Sequence, residues 1–312
     1  MLAVIPEQLK HERIAILGYH VPPGIPRITW KNLLKMRRDR WRIWHARRNV
    51  DMLAGLILRH LLRFRLKLLF TSAAQRRHTG ITRFYYKRMD AVIATTAKAA
   101  SFLECPATVV RHGVDTLRFQ PAGEPGRYAL GAFGRIRPNK GSEDFVDALL
   151  AVLPARPEWS VVFVGEAESA EYERRLQGKL EAAGLAGRVQ FTGFVSHDEL
   201  PQCYRSLRVV VCPSREEGFG LPCLEAMASG CPVVATRAGA WPEIVQEDVT
   251  GKLVDAGDVA GMTAALLAIT EDPDRAVRMG RQARDFVERE FAIANEASGI
   301  QQVYDALLGP AR

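Results

Sequence analysis

From about residue 128 onward, short runs rich in valine and other apolar residues alternate with longer segments of helical periodicity. The runs read YALGAFGRI, SVVFVGEA, VQFTGF, RVVVCPS and CPVVAT, and helices are predicted near 141–153, 168–184, 197–206, 221–230 and 241–247. Short buried strands that are joined through helices form a parallel sheet with helices on both faces. The alternation therefore predicts a doubly wound α/β domain, in which ligands bind beyond the carboxyl ends of the strands.

The first 120 residues show the same pattern less regularly. The segments RIAILGY, WRIWHA, LKLLFTS, AVIATT and ATVVRHG are predicted to be strands of a second α/β sheet. Between the two halves, HGVDTLRFQPAGEPG at 112–126 contains a cluster of proline and glycine and is the predicted linker. We therefore expect a first domain over 1–120, a second over 121–291, and a carboxyl-terminal segment over 292–312 whose helix packs back on the first domain.

Composition excludes several classes of protein. The 312 residues are 47% hydrophobic, which suffices for two buried cores. The longest apolar run, MLAGLIL at 52–58, ends at Arg59 and is too short for a membrane span of about 20 residues. The first residues lack the charged and apolar regions of a signal peptide, so we expect a cytoplasmic protein. Five cysteines without a CxxC pair argue against a zinc site and a disulfide framework.

Charge is distributed unevenly along the chain. Residues 1–120 contain 23 Lys and Arg against 7 Asp and Glu, a balance of +16, whereas the remaining residues carry −8. Such asymmetry suggests two domains with different partners, and a basic half is typical of proteins that bind phosphate, nucleic acid or an anionic membrane.

The segment GAFGRIRPNKG at 131–141 follows a predicted strand and precedes a predicted helix. Its glycines permit close approach of a ligand to the backbone, and Arg135 and Lys140 add two cations near a helix amino terminus. This combination suits a diphosphate. The segment is neither a Walker motif nor a GxGxxG fingerprint. The alternative is a surface turn that carries two solvated cations.

The segment EEGFGLPCLEAMASG contains two acids around a glycine turn that leads into a helix. Gly218 and Gly220 can expose backbone N–H groups, while Glu217 precedes them and Glu225 lies about one helical turn inside. Two carboxylates without a neighbouring Asp or His cluster fit the recognition of sugar hydroxyls better than a metal. The alternative is an exposed Glu225 and a Glu217 that only complements the helix dipole.

Four segments taken together resemble the retaining glycosyltransferases of family 4. In chain order they are HGVDTLRF, GRIRPNKG, the Glu-x7-Glu spacing from Glu217 to Glu225, and GAWPEIVQEDVTGKLV. That family has the GT-B fold, in which two Rossmann-like domains face a cleft. The resemblance implies this fold and a transferase whose co-substrate is a nucleotide sugar, with no metal and no other cofactor.

The resemblance also implies roles for individual residues. Arg135 and Lys140 would bind the donor diphosphate. Glu217 would contact the transferred sugar, and Glu225 the ribose. The implied donor-binding residues, of which Phe194 and Val195 would lie near the base, are Gly134, Arg135, Lys140, Phe194, Val195, Glu217, Gly218, Phe219, Gly220, Leu221 and Glu225. Arg135, Lys140 and Glu217 are predicted to be catalytic, together with His45.

The first half is similar to bacterial lipopolysaccharide core mannosyltransferases that use GDP-mannose, because it contains the segments WHARRN and FTSAAQRRH. The similarity implies an anionic, lipid-linked oligosaccharide acceptor and peripheral attachment to the inner face of the cytoplasmic membrane. Guanidinium groups at strand ends suit an acceptor that carries carboxylates or phosphates. The residues predicted to bind it are Arg47, Arg48, Arg76, Arg77 and His78. Any single arginine could instead be a solvated surface charge, and His45 a core histidine.

The chain starts at MLAVIPEQLKHERIAILGY, after the strand and glycine-containing loop with which family members begin. We therefore expect a shortened first domain, and a cleft without that loop would exclude water less well. Two alternatives stay open, namely an inactive protein that only binds a sugar nucleotide and a transferase with a UDP-sugar donor. Nucleic acid is not an expected partner, since the chain shows no recognition helix and its second half is acidic.

Overall fold

The computed structural model describes residues 2–18, 21, 23–123 and 128–309. Tyr19 of the predicted strand RIAILGY and residues 124–126 of the predicted linker lie outside these ranges. The chain forms two compact units, one of Met1–Gly113 with Ile293–Arg312 and one of Val114–Ala292. The first boundary precedes the predicted residue 120, because the N–H of Val114 already donates to the Phe291 carbonyl of the second unit at 2.8 Å.

The first unit contains a parallel sheet of four strands in the order β3-β4-β5-β6. Its strands are β1 (Ile16–Leu17), β2 (Arg27–Ile28), β3 (Arg42–Ala46), β4 (Leu66–Ser72), β5 (Ala91–Ala94) and β6 (Thr108–Val109). Its first five helices, after a short 3-10 turn at Leu2–Val4, are α1 (Ile5–Gln8), α2 (Trp30–Leu34), α3 (Asn49–His60), α4 (Gly80–Tyr86) and α5 (Ala97–Ser101).

The prediction that RIAILGY joins this sheet is wrong. Of its described residues 13–18, only Ile16 and Leu17 form a strand, and they pair in parallel with β2 as a separate two-stranded sheet. The segment that follows contains Pro23 and Pro26, whose missing N–H groups confine a strand to short edge pairings.

The second unit is a parallel sheet of six strands in the order β12-β11-β10-β7-β8-β9. Its strands are β7 (Ala129–Phe133), β8 (Ser160–Val164), β9 (Val189–Phe191), β10 (Val209–Cys212), β11 (Val233–Thr236) and β12 (Gly251–Val254). Its helices are α6 (Ser142–Ala155), α7 (Ala170–Ala182), α8 (Leu200–Arg205), α9 (Leu221–Ala228), α10 (Trp241–Ile244), α11 (Val259–Glu271) and α12 (Pro273–Glu290), with 3-10 turns at Pro138–Lys140 and Ala186–Arg188. The prediction of a doubly wound α/β sheet is confirmed.

Alternation along the central strand β10 shows how this sheet is buried on both faces. Val209 and Val211 point into a core formed with α6, α7 and α11, whereas Val210 and Cys212 point into a core formed with α9 and α12. Each residue is at most 4% exposed. Side chains of successive strand residues point to opposite faces, so an unbroken apolar run is what a doubly covered strand requires.

The last helix, α13 (Ile293–Leu308), belongs to the first unit although it follows the second in sequence. It contacts α1 and β3, and its residues Ala297, Ile300 and Val303 share one buried core with Leu69 and Ile93 of the sheet. No helix in the described ranges combines the length and the apolar character that crossing a membrane requires.

Candidate active site

A pocket of about 210 Å³ opens at the carboxyl ends of β7 and β10, which are neighbours in the sheet of the second unit. From β7 the chain builds β8 and β9 on one side, then crosses to β10 and builds β11 and β12 on the other. Ligands bind open parallel sheets at such a reversal of strand order. The polar and glycine residues in the wall are Gly134, Arg135, Lys140, Ser142, Ser214, Glu217 and Gly220.

Lys140 and Glu217 form the central ion pair of this pocket. The Lys140 ammonium donates to Glu217 Oε2 at 2.6 Å, and both side chains are partly exposed, at 24% and 15%. The Gly218 N–H donates to Glu217 Oε1 at 3.0 Å, and Ser214 Oγ donates to Oε2 at 3.4 Å. These contacts fix the orientation of the carboxylate while leaving part of it open to a ligand.

Two loops hold this pair in place. The N–H groups of Arg215 and Glu216 both donate to the carbonyl of Asn139, at 3.0 and 3.2 Å. Gly141 has a φ of 65°, and a Cβ at this position would lie 1.9 Å from the Pro213 carbonyl oxygen. Only glycine is accommodated here, because the backbone is left-handed and a side chain would collide with the Pro213 carbonyl. The loop after β7 is therefore tied directly to the loop after β10.

Arg135 supplies a second cation to the pocket. It follows Gly134, is exposed, and forms no ion pair with any residue that the structure describes. Lys140 gives one of its three donors to Glu217, so further N–H groups of both cations are available. The three charged groups in the wall sum to +1, which favours an anionic ligand such as a diphosphate.

The start of α9 does not present all of the exposed backbone N–H groups that the sequence predicts. Gly220 has a φ of 81°, and its carbonyl accepts from the Trp241 indole N–H at 3.2 Å. The Gly218 N–H is engaged by Glu217, and Pro222 has no N–H. The predicted array of free amides is therefore only partly present, and Phe219 is buried. Leu221 lines the pocket.

Glu225 is a buried residue of α9. It is 9% exposed, and its Oε2 accepts from the Tyr204 hydroxyl at 2.9 Å. Burial raises the pKa of this carboxyl, which the hydrogen bond from Tyr204 partly opposes. Glu225 is not among the residues that line the pocket. The structure therefore does not bring the two carboxylates together in one wall, although the Tyr204 ring stacks on Phe133, which does line it.

Phe194 and Val195 follow β9 and also lie outside the pocket wall. The Phe194 side chain is 74% exposed to solvent. Ser214 and Trp241 line the pocket but were not predicted. Both could have been found from the sequence. Ser214 ends the predicted strand segment RVVVCPS, and Trp241 lies in GAWPEIVQEDVTGKLV, one of the segments that resemble the family.

His45, in β3 of the first unit, has both ring nitrogens engaged. Nδ1 bonds with the Tyr304 hydroxyl at 2.9 Å and Nε2 with the Thr71 hydroxyl at 2.6 Å. Burial, assisted by the charge of Arg47, lowers the pKa of His45 to about 3. A neutral histidine with both nitrogens bonded is a structural core residue, so the geometry favours the alternative to a catalytic role.

The five basic residues that were predicted to bind the acceptor differ in their burial and in their bonding partners. Arg48 pairs with Asp51 at the start of α3, where the Asp51 carboxylate accepts from the Arg48 backbone N–H. Arg76 and Arg77 are exposed, without an ion pair to any described residue. His78 bonds to Ser72 Oγ at 3.0 Å, and burial lowers its pKa. Arg47 is enclosed. The sequence does not distinguish an ion-paired, an exposed, a hydrogen-bonded and an enclosed basic residue.

Comparison with known proteins gives close relatives over nearly the whole chain. The family Glycosyl transferases group 1 matches residues 114–286. The chain is 45% identical to the lipopolysaccharide core biosynthesis mannosyltransferase LpcC of Rhizobium leguminosarum bv. viciae over 316 residues, covering 96% of this chain and 89% of that protein. It is 41% identical to the corresponding LpsB of Rhizobium meliloti, covering 95% and 90%.

Solved structures agree with this relationship. The carboxyl-terminal domain of LpcC from Francisella tularensis, 39% identical, matches with a TM-score of 0.55 over 58% of this chain and 100% of that one. Anabaena HepE, solved with UDP, matches with a TM-score of 0.80 over 91% and 87% of the two chains; at 21% identity it supports the GT-B fold alone. The chain is therefore an enzyme of the family Glycosyl transferases group 1, with the GT-B fold.

Proposed function

We propose that this enzyme transfers mannose from GDP-mannose, with retention of configuration, to an anionic acceptor of the lipopolysaccharide core, as a member of family 4. The observation that carries the proposal is the Lys140–Glu217 pair beside the unpaired Arg135, at the reversal of strand order in the second unit. The near full-length similarity to two lipopolysaccharide core mannosyltransferases supports the sugar and the acceptor class.

In this proposal the two cations carry the charge stabilisation. Arg135 and Lys140 bind the diphosphate and stabilise the negative charge that grows as the bond between the sugar C1 and the phosphate oxygen breaks. The acceptor oxygen forms its bond to C1 on the same face, and its proton passes to the departing phosphate oxygen. Neither a protein nucleophile nor a metal takes part. Among the described residues no cluster of three or more His, Cys, Asp or Glu side chains could hold a metal.

The carboxylates bind hydroxyl groups. Glu217, held by Lys140 and the Gly218 amide, accepts from hydroxyls of the transferred hexose. Glu225 has Oε2 engaged by Tyr204 and no hydrogen bond from a described residue to Oε1, so we assign Oε1 to the ribose. Charge-assisted hydrogen bonds of this type contribute about 1.5–3 kcal/mol each.

The direct test is transfer from a panel of nucleotide sugars to a deacylated lipopolysaccharide core that lacks the transferred residue. We expect a product only with GDP-mannose, and nuclear magnetic resonance should show an α-linked mannose, the anomer of the donor. A product from a UDP-sugar instead would favour the alternative donor. Binding of a sugar nucleotide with neither transfer nor hydrolysis would favour the inactive alternative.

An exposed apolar surface in the first unit supports membrane attachment. On α3 it consists of Val50, Leu53, Ile57 and Leu61, whose spacing places them on one helix face, and on the neighbouring α4 of Ile81 and Phe84. Their exposure ranges from 41% for Leu53 to 74% for Leu61. We propose that this surface, in the basic half of the chain, attaches peripherally to the anionic inner leaflet of the cytoplasmic membrane.

Flotation with vesicles that contain anionic phospholipid tests this attachment. Replacing Ile57, Leu61, Ile81 and Phe84 by serine should abolish cofloating with the vesicles. The matched control is Leu117→Ser in the second unit, where an equally apolar side chain is 82% exposed. Equal flotation of the fourfold variant and the control would refute the assignment of the surface.

A further inference from the structure

Arg47 is a partly buried cation that forms no ion pair with any described residue. It directly follows β3, and its Nη1 is fully buried without a hydrogen-bond partner. Within the part of the chain that the structure describes, no carboxylate lies within ion-pair distance of the guanidinium. Burial lowers the pKa of Arg47, as is expected where water is excluded and compensation is incomplete.

The two groups of α13 that interact electrostatically with Arg47 form their hydrogen bonds with other residues. Glu296 of α13 attracts it electrostatically, but Glu296 Oε1 bonds to His112 Nδ1 at 2.8 Å and Oε2 accepts from the Gly113 N–H at 2.8 Å. The hydroxyl of Tyr304, the other group on α13 that interacts with Arg47, bonds to His45. The surroundings therefore attract the guanidinium without satisfying its donors.

An unsatisfied guanidinium in this position requires an explanation. Enclosing a charge costs several kcal/mol unless a partner with good geometry compensates it, and one distant carboxylate does so only in part. Arg47 also stands at the carboxyl edge of the parallel sheet β3-β4-β5, which is the edge where α/β sheets bind ligands. Both facts point to a ligand that supplies the missing negative charge.

We propose that Arg47 binds the carboxylate or phosphate of the acceptor through two parallel N–H···O bonds. The planar guanidinium matches either oxyanion, and Nη1 is a buried donor without a protein partner, which such a ligand would satisfy. The inference rests on the proposed function for the identity of the ligand, since a transferase of this type needs an acceptor. The diphosphate of the donor has its own cations in the second unit, Arg135 and Lys140.

The test measures binding without turnover. Calorimetry on the full chain, with no donor present, compares a deacylated core oligosaccharide with the same material after methyl esterification of its carboxylates or removal of its phosphates. For Arg47→Gln we expect about 10- to 100-fold weaker binding of the acidic acceptor, the loss typical of a hydrogen bond to a charged group. Arg47→Lys should restore part of this binding, because it keeps the charge but loses the fork. Whichever chemical treatment abolishes the difference identifies the oxyanion.

Two controls separate a binding role from a structural one. Arg40→Gln removes an exposed cation of the same unit and should leave acceptor binding within about twofold of the wild type. Arg47→Gln should unfold at or above the wild-type temperature, since it removes an incompletely paired buried charge. Binding of GDP-mannose should be unchanged in both variants.

Several outcomes would overturn the inference. Equal weakening for the acidic and the neutralised acceptor would make Arg47 structural, and weakening of GDP-mannose alone would place it at the donor diphosphate. The proposed function fails separately. If the wild type binds the acidic acceptor through Arg47 but transfers no mannose, the anion site stands and the transferase assignment falls. If transfer proceeds and Arg47→Gln binds the acidic acceptor normally, only the anion site falls.

Discussion

Replacing Gly141 by alanine tests the connection between the two loops that carry Lys140 and Glu217. The added Cβ would lie 1.9 Å from the carbonyl oxygen of Pro213, where carbon and oxygen normally stay about 3.3 Å apart. The Cβ position is set by the backbone of residue 141, and the atom that it meets is a backbone oxygen, so no side-chain rotation relieves the clash. The loops must separate by more than about 1 Å, which carries the 2.6 Å bond between Lys140 and Glu217 beyond hydrogen-bonding distance.

The magnitude follows from two contributions. A left-handed backbone at φ 65° costs an L-residue about 1–2 kcal/mol, and overpacking adds about 1–3 kcal/mol. We therefore expect Gly141→Ala to lower the free energy of unfolding by about 2–5 kcal/mol. Because the separating loops displace Lys140 from its place in the pocket, affinity for the nucleoside diphosphate and the rate of transfer should both fall even where the variant is fully folded.

Urea unfolding monitored by tryptophan fluorescence measures the stability, and calorimetry with GDP measures the binding. The matched control is Gly178→Ala, because Gly178 lies in α7, where an added Cβ would meet no atom within 4 Å apart from the backbone of its own helix. An alanine there should stabilise the protein by about 0.5–1 kcal/mol. If Gly141→Ala is as stable as this control and binds GDP like the wild type, the loops are not constrained as the structure indicates.

Three further predictions concern the polar side chains. Glu217→Gln should lower turnover about 10-fold or more while changing the affinity for GDP little, because its carboxylate faces the sugar; steady-state kinetics and GDP titration check this, and an unchanged turnover would refute it. Tyr204→Phe should lower the free energy of unfolding by about 1–3 kcal/mol, because it removes the donor to the buried Glu225 Oε2; thermal unfolding of this variant and of Tyr128→Phe gives the comparison. The pKa of His45 falls from 6.5 to about 3 on folding, so the unfolded state takes up a proton as the pH decreases and the native state does not. Between about pH 8 and pH 5 this histidine should therefore remove about 2 kcal/mol of stability, a loss that denaturant titrations should find diminished in His45→Gln.

The second unit was largely predictable because its strands are buried on both faces. Val209 to Val211 form an unbroken apolar run, and such runs separated by helical segments leave few alternatives to a parallel sheet. The proximity of Lys140 and Glu217 follows from the same pattern, since the loops that follow neighbouring parallel strands meet at one edge of the sheet. The sixth strand β12 and the helices α11 and α12 were not predicted.

The rest depended on contacts between residues far apart in sequence. The hydroxyl of Tyr204 reaches Glu225 from another helix, and Tyr304 reaches His45 across 259 positions. Neither pairing leaves a local pattern, so the sequence does not show that the Glu225 carboxyl is buried and bonded to Tyr204, or that His45 is bonded through both ring nitrogens. The arginines of WHARRN show the same limit, because Arg47 is partly buried with an enclosed Nη1, whereas the adjacent Arg48 is exposed.

The membership of α13 in the first unit has a consequence for biosynthesis. All of the second unit is contiguous in sequence, so it can fold as soon as residue 292 has left the ribosome. The first unit is synthesised earlier but lacks Ala297, Ile300 and Val303 from its core until the last residues emerge. Its exposed apolar core must wait for the whole second unit to be translated, at about 5–20 residues per second. The first unit can thus complete its core only after the second unit has been synthesised, and a nascent chain that stalls before α13 would present chaperones and proteases with a first unit whose core is still open.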